Sequence, residues 1–184
     1  MTMIDVLIAA LWLQLPIVFG GVLHMLAVRD NWLPALRRPL AIKLFGANKT
    51  WRGLLLMPSL TAVGACLLWP AEQLWQPLGW TSPFAGSALW LAGLCGGLGY
   101  VLAELPNSFI KRRLGIAAGA TPEKGRRLFL AMDQLDSALG AALAYMIVPG
   151  IGPGIAICYV LSFPLVALAV KRLLFMSGLK AQPH

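Results

Sequence analysis

Apolar residues run along this chain in five long blocks, and polar and charged residues gather in the connections between them. The blocks lie near residues 4–28, 54–70, 86–105, 128–149 and 154–175. Each approaches the roughly 20 residues that a helix needs to cross about 30 Å of hydrocarbon. The pattern predicts an all-α, polytopic membrane protein with about five transmembrane helices, forming one domain over residues 1–184. No Lys or Arg precedes the first block and no small-residue cleavage site follows it, so a retained helix is expected there, not a signal peptide.

Composition supports this class. With 59% hydrophobic and 12% charged residues, a chain of 184 residues is too apolar for a soluble domain. The net charge of +8 raises nucleic acid as a partner, but the basic residues flank the apolar blocks. Anionic lipid of the bilayer, or an anionic substrate, is the expected partner, and no nucleic acid. Cys66, Cys95 and Cys158 each stand alone in an apolar run, as reduced packing residues do.

Charge also predicts orientation. The connection 29–53 holds Arg29, Arg37, Arg38, Lys43, Lys49 and Arg52, and the connection 106–127 holds Lys111, Arg112, Arg113, Lys124, Arg126 and Arg127. Lys171, Arg172 and Lys180 close the chain, whereas 70–84 has only Glu72 and the turn at Pro149 and Pro153 has no charge. By the positive-inside rule the N-terminus is outside, while both basic loops and the C-terminus are cytoplasmic, as in a multi-pass protein of the cell (inner) membrane. Trp69, Trp75, Trp80 and Trp90 then fall at the outer interface, where anchoring is their expected role. Gly93, Gly96, Gly97 and Gly99 read as helix-packing residues, since no strand precedes them as a nucleotide fingerprint requires.

Three segments carry chemistry. In the fourth block, Asp133 and Asp136 stand at i and i+3 and so share a helical face. Carboxylates inside a membrane helix are costly and repel each other, which points to a divalent metal held by both. Oxygen donors of this kind suit magnesium, or manganese, bound together with substrate phosphates. The plainer alternative is an acid pair neutralised by the basic loops. At the end of the third block, a helix continuing past Pro106 would bring Glu104, Ser108 and Lys111 to one face, with Lys111 on phosphate and Arg113 turned away as a topology determinant. Residues 43–53, KLFGANKTWRG, lack the first glycine and the strand of a P-loop. They still offer phosphate-binding donors at Asn48, Lys49, Thr50 and Arg52.

FGANKTWRG at 45–53, NSFIKRRLGIAAG at 107–119 and DQLDS at 133–137, in this order, resemble the CDP-archaeol synthase family, itself related to the CDP-diacylglycerol synthases. The resemblance spans nearly the whole chain. It implies transfer of CMP from CTP to a membrane lipid phosphate, with release of pyrophosphate and a need for magnesium. It also implies Asp133 and Asp136 as metal ligands, Ser108, Lys111 and Arg112 near the phosphates, and Lys49 and Arg52 in substrate binding. Many relatives carry Gly-Asp where this chain has Ala103-Glu104, so Glu104 is the expected third ligand with one methylene more. Only GATPEKG precedes the acid pair, in place of the longer PGHGG-type insertion of diacylglycerol-using enzymes, which favours the shorter branch.

Two other readings were open at this level. CDP-alcohol phosphotransferases need four aspartates, and no acidic residue follows Asp136. An anionic-lipid transporter or scramblase would use the basic loops but needs no metal pair. Neither the identity of the lipid nor the existence of a homodimer is fixed by these residues.

Overall fold

Thr2 opens the first helix with a capping box: its hydroxyl accepts from the Asp5 N–H at 3.2 Å, and the Asp5 carboxylate accepts from the Thr2 N–H at 2.6 Å. That helix, α1, runs Met3–Arg29. The computed structural model describes residues 2–120 and 126–179, the side chains at 126–128, 130 and 131 excepted. Residues 121–125 of the GATPEKG segment, with Lys124, and also Lys180 and the side chains of Arg126 and Arg127, lie outside the described residues.

After α1 come a short α2 (Ile42–Phe45), α3 (Trp51–Cys66), α4 (Trp69–Trp75), α5 (Leu89–Arg113), α6 (Arg126–Ile147) and α7 (Pro153–Met176). The boundaries have local causes. α3 starts earlier than hydropathy places it because Thr50 caps it, accepting from the Gly53 N–H at 3.3 Å. α5 carries on through Pro106 to Arg113, as membrane helices tolerate when neighbours satisfy the freed carbonyl. α7 begins on Pro153, whose missing N–H costs nothing in a first turn.

Among the described residues, four helical stretches are long and apolar enough to cross a membrane: Met3–Arg29, Trp51–Leu78, Leu89–Arg113 and Pro153–Met176. α6 is the fifth long helix and the least apolar, since it bears the acid pair. Its stripe of Leu135, Leu139, Leu143 and Met146 is exposed, while Ala138, Ala141, Ala142 and Tyr145 are buried. That division is what a helix shows with one side toward lipid tails and one toward a bundle.

The five long helices close a ring: α1 packs on α3 and α7, α3 on α5, α5 on α6, and α6 on α7. Small residues let them approach. A Cβ on Gly99 would run into the Gly140 carbonyl, and one on Gly140 into the Gly99 carbonyl, so α5 and α6 touch backbone to backbone. Within the ring, Gln14 Nε2 donates to Ser162 Oγ at 2.7 Å, tying α1 to α7.

Trp75 and Trp80 do more than anchor. With Trp12 of α1 they form a cluster of ring centroids 4.9–5.6 Å apart, and Trp12 Nε1 donates to Glu72 Oε1 at 3.3 Å. Trp69 and Trp90 are exposed. The cysteines form no disulfide among the described residues.

At the other end of the bundle the two basic connections pack on each other. The first pairs with itself: Leu40 N–H donates to the Lys49 carbonyl at 2.8 Å, and Trp51 N–H to the Arg38 carbonyl at 3.0 Å. Gly46, at φ +88°, reverses the chain after α2. A Cβ there would lie 3.0 Å from Ala118 Cβ and 3.4 Å from Arg112 Nη1, so only glycine meets both demands.

Candidate active site

Glu104, Asn107, Ser108 and Lys111 recur at i, i+3, i+4 and i+7 and so occupy one face of α5. That face, Asp133 and Asp136 of α6, and Asn48 and Lys49 of the first basic loop surround a cavity of about 250 Å³, with Arg112 at its edge. α1, α5 and α7 end, and α3 and α6 begin, at this end of the bundle.

Opposite charges are interleaved here. Lys111, buried, forms an ion pair with Asp133 Oδ1, and its ammonium also lies 5.8 Å from the centre of the Phe129 ring. Lys49 pairs with Glu104 Oε2. Asn107 Nδ2 donates to both acids, at 2.6 Å from Asp133 Oδ1 and 2.6 Å from Asp136 Oδ2, which holds the two carboxylates around a single point. Ser137 Oγ is 3.0 Å from Glu104 Oε1 and 3.1 Å from Asp136 Oδ1, so its one proton serves one carboxylate or the other. Arg112 Nε is buried with no hydrogen-bond partner among the described residues.

Eight of the residues singled out in the sequence therefore meet in one cavity: Asn48, Lys49, Glu104, Ser108, Lys111, Arg112, Asp133 and Asp136. Thr50 and Arg52 do not line it. The Thr50 hydroxyl is committed to capping α3. Arg52 is 4% exposed and its Nη1 donates to Asn31 Oδ1 at 3.4 Å and to the Trp32 carbonyl at 3.1 Å, so it braces the end of α1. Arg113 points away, its guanidinium 4.8 Å from the Phe109 ring centre. Asn107 was missed, although its i+3 spacing from Glu104 put it on the same face.

No group of three or more His, Cys, Asp and Glu side chains among the described residues is gathered closely enough to cage a metal ion. Glu104 lines the same cavity as the acid pair, one oxygen on Lys49 and the other on Ser137, whose hydroxyl also reaches Asp136. Asp133 and Asp136 offer a pair of hard oxygen donors that suits an ion completing its shell with water and substrate phosphates.

The CarS-like family model, described as CDP-archaeol synthase, matches residues 3–184. The CDP-archaeol synthase of Staphylothermus marinus is 34% identical over 105 residues, which cover 55% of this chain and 47% of that protein. The CDP-archaeol synthase of Methanosarcina barkeri is 26% identical over 152 residues, 77% of this chain and 82% of that one. The match thus spans about half the length of the first relative and most of the second. No solved structure matches. A family model that runs from residue 3 to residue 184 takes in all three segments that build the cavity, and the chain belongs to the CarS-like CDP-archaeol synthase family.

Proposed function

We propose that this protein is a CTP-dependent cytidylyltransferase that moves CMP from CTP to a membrane lipid phosphate, giving a CDP-activated lipid and pyrophosphate. The observation that carries the reading is the convergence of two carboxylates with Lys49, Lys111 and Arg112 in one cavity at the loop end of a membrane bundle. Family membership and the names of the two relatives support it. Archaeol-type ether lipids are the first substrates to test, because those names specify CDP-archaeol.

Asp133 and Asp136 would hold magnesium, or manganese, which when bound neutralises the triphosphate and polarises the phosphoryl group under attack. Around them Lys49, Lys111 and Arg112 supply N–H donors to phosphate oxygens. Asn107 keeps the two carboxylates aimed at one point before substrate arrives. An oxygen of the lipid phosphate attacks the α-phosphorus in line. One P–O bond forms, the bond from the α-phosphorus to the α–β bridging oxygen breaks, and the electron pair leaves with pyrophosphate. By the positive-inside rule the basic loops support a cytoplasmic face of the cell membrane for this chemistry, where CTP is found. A lipid transporter would have no use for the acid pair and its bracing amide.

Purified protein with CTP labelled at the α-phosphate, magnesium and a panel of ether- and ester-linked lipid phosphates tests the reading. Label is expected in an organic-soluble CDP-lipid, with pyrophosphate released in equal amount. Asp133→Asn and Asp136→Asn should each abolish most of that transfer while leaving the protein folded. Label that stays water-soluble with every lipid in the panel refutes the assignment.

A further inference from the structure

A second cavity, of about 330 Å³, shares Asn48, Lys49 and Glu104 with the first, so the Lys49–Glu104 ion pair stands in the wall between them. Its other lining differs in kind. Leu54, Met57, Val101 and Leu105 make much of it apolar, and the polar side chains not shared with the first cavity are His24 of α1, Thr50 and Arg52 at the start of α3, and Tyr100 of α5. Neither Asp133 nor Asp136 reaches it, and with Arg52 and Lys49 against Glu104 its lining is net cationic.

Two of its polar atoms lack partners. His24 Nε2 and Arg52 Nε are both buried with no hydrogen-bond partner among the described residues, and Arg52 as a whole is 4% exposed. Arg52 spends its Nη1 on the end of α1 and keeps Nε–H unspent. Buried polar atoms are rarely left so, and two on residues that line one cavity point to a ligand that pairs with them. The cavity also has depth: Met57 lies six residues into α3 beyond Trp51, about 9 Å along the helix at 1.5 Å per residue. It therefore reaches from the level of the polar loops into the apolar layer, as an amphiphile does.

We propose that this second cavity seats the lipid phosphate, with its phosphate on His24 Nε2 and Arg52 Nε and its first carbons along Met57, Val101 and Leu105. CTP occupies the acid-lined cavity, and the two substrates meet across the Lys49–Glu104 pair. The inference rests on the cytidylyltransferase reading above for the identity of the lipid. The reaction is unchanged: the attacking oxygen comes from the second cavity, and pyrophosphate departs with the electron pair of the broken bond on the side of the first.

Three variants test it. His24→Leu removes the nitrogen, His24→Gln keeps a polar group, and Met57→Trp fills the apolar wall. Binding of a short-chain lipid phosphate, dihexanoyl phosphatidate, is measured first by thermal stabilisation of the protein without CTP or magnesium. Wild type and His24→Gln should be stabilised, and His24→Leu should need at least about tenfold more ligand for the same shift. With CTP and magnesium, KM for lipid phosphate should rise at least about tenfold in His24→Leu and Met57→Trp, with KM for CTP within about twofold of wild type.

A raised KM for CTP, or stabilisation of His24→Leu equal to that of wild type, overturns the assignment. Should Met57→Trp fail to fold, His24→Leu decides alone. A wild type that binds the short-chain lipid phosphate through His24 but transfers no CMP refutes the functional reading and leaves the site standing. A wild type that transfers CMP with both constants indifferent to His24 refutes the site and leaves the function.

Discussion

Replacing Asn107 with alanine removes the one amide that donates to both Asp133 and Asp136. Each bond is 2.6 Å long and ends on a charged acceptor, a class worth about 1.5–3 kcal/mol. Asp133 is 39% exposed, so water takes over part of what the amide supplied, and the net loss is reduced to about 2–3 kcal/mol. Without the amide the carboxylates repel and turn apart, and this loss falls on the arrangement that meets the transition state. We therefore expect kcat/KM for CTP to fall roughly 30- to 150-fold in Asn107→Ala. The variant should also need more magnesium for half-maximal rate, and part of the loss should return at high magnesium. Initial rates over a grid of CTP and magnesium concentrations, normalised to folded protein by size-exclusion chromatography, measure both effects. A kcat/KM within about threefold of wild type, with an unchanged magnesium requirement, refutes the bracing role of Asn107.

Lys111→Met should lower kcat/KM for CTP at least about tenfold, or roughly 1.4 kcal/mol, whereas Arg113→Met, whose guanidinium sits on Phe109 outside the cavity, should change it less than about twofold; equal losses would mean a diffuse basic patch. Gly140→Ala forces apart two backbones in contact, an overpacking cost of about 1–3 kcal/mol, and should lower Tm by roughly 2–12 °C, while Gly154→Ala, with nothing within 4 Å, should not lower it; circular dichroism melts compare the two. With Cys66, Cys95 and Cys158 changed to alanine, a cysteine at Gln76 should react with an impermeant thiol reagent added to intact cells and one at Ala118 should not. The reverse labelling pattern would put the cavity on the wrong face for CTP.

Hydropathy made the helices legible because a membrane span must be long and apolar whatever its neighbours do. The acid pair and Lys111 were legible for the converse reason, since charge within such a span needs a purpose. Positions in the loops were harder. Thr50 and Arg52 offer the same donors as Lys49, and only the pairing of residues 38–40 with 49–51 decides that Lys49 faces the acids while Arg52 braces α1. Asn107 is uncharged and its value comes from two carboxylates on another helix, so nothing local marked it beyond its face of α5. His24 was invisible for the same reason: a single imidazole in an apolar helix acquires meaning only beside Arg52 and Gly53. The Trp75–Trp80–Trp12 cluster joins residues far apart in sequence, and interface propensity alone pairs none of them.

The backbone contact of Gly99 with Gly140 makes α5 and α6 work like the arms of a caliper. At 1.5 Å per residue, the pivot is about 12 Å along α5 from Asn107 and about 10 Å along α6 from Asp133, so the two jaws are nearly equal in length. A change of about 5° in the angle between the arms opens the jaws by about 1 Å, a displacement that can cost a reaction about a hundredfold in rate. Any change in the crossing angle at this contact is therefore read out directly as the gap between the acids and the cations facing them.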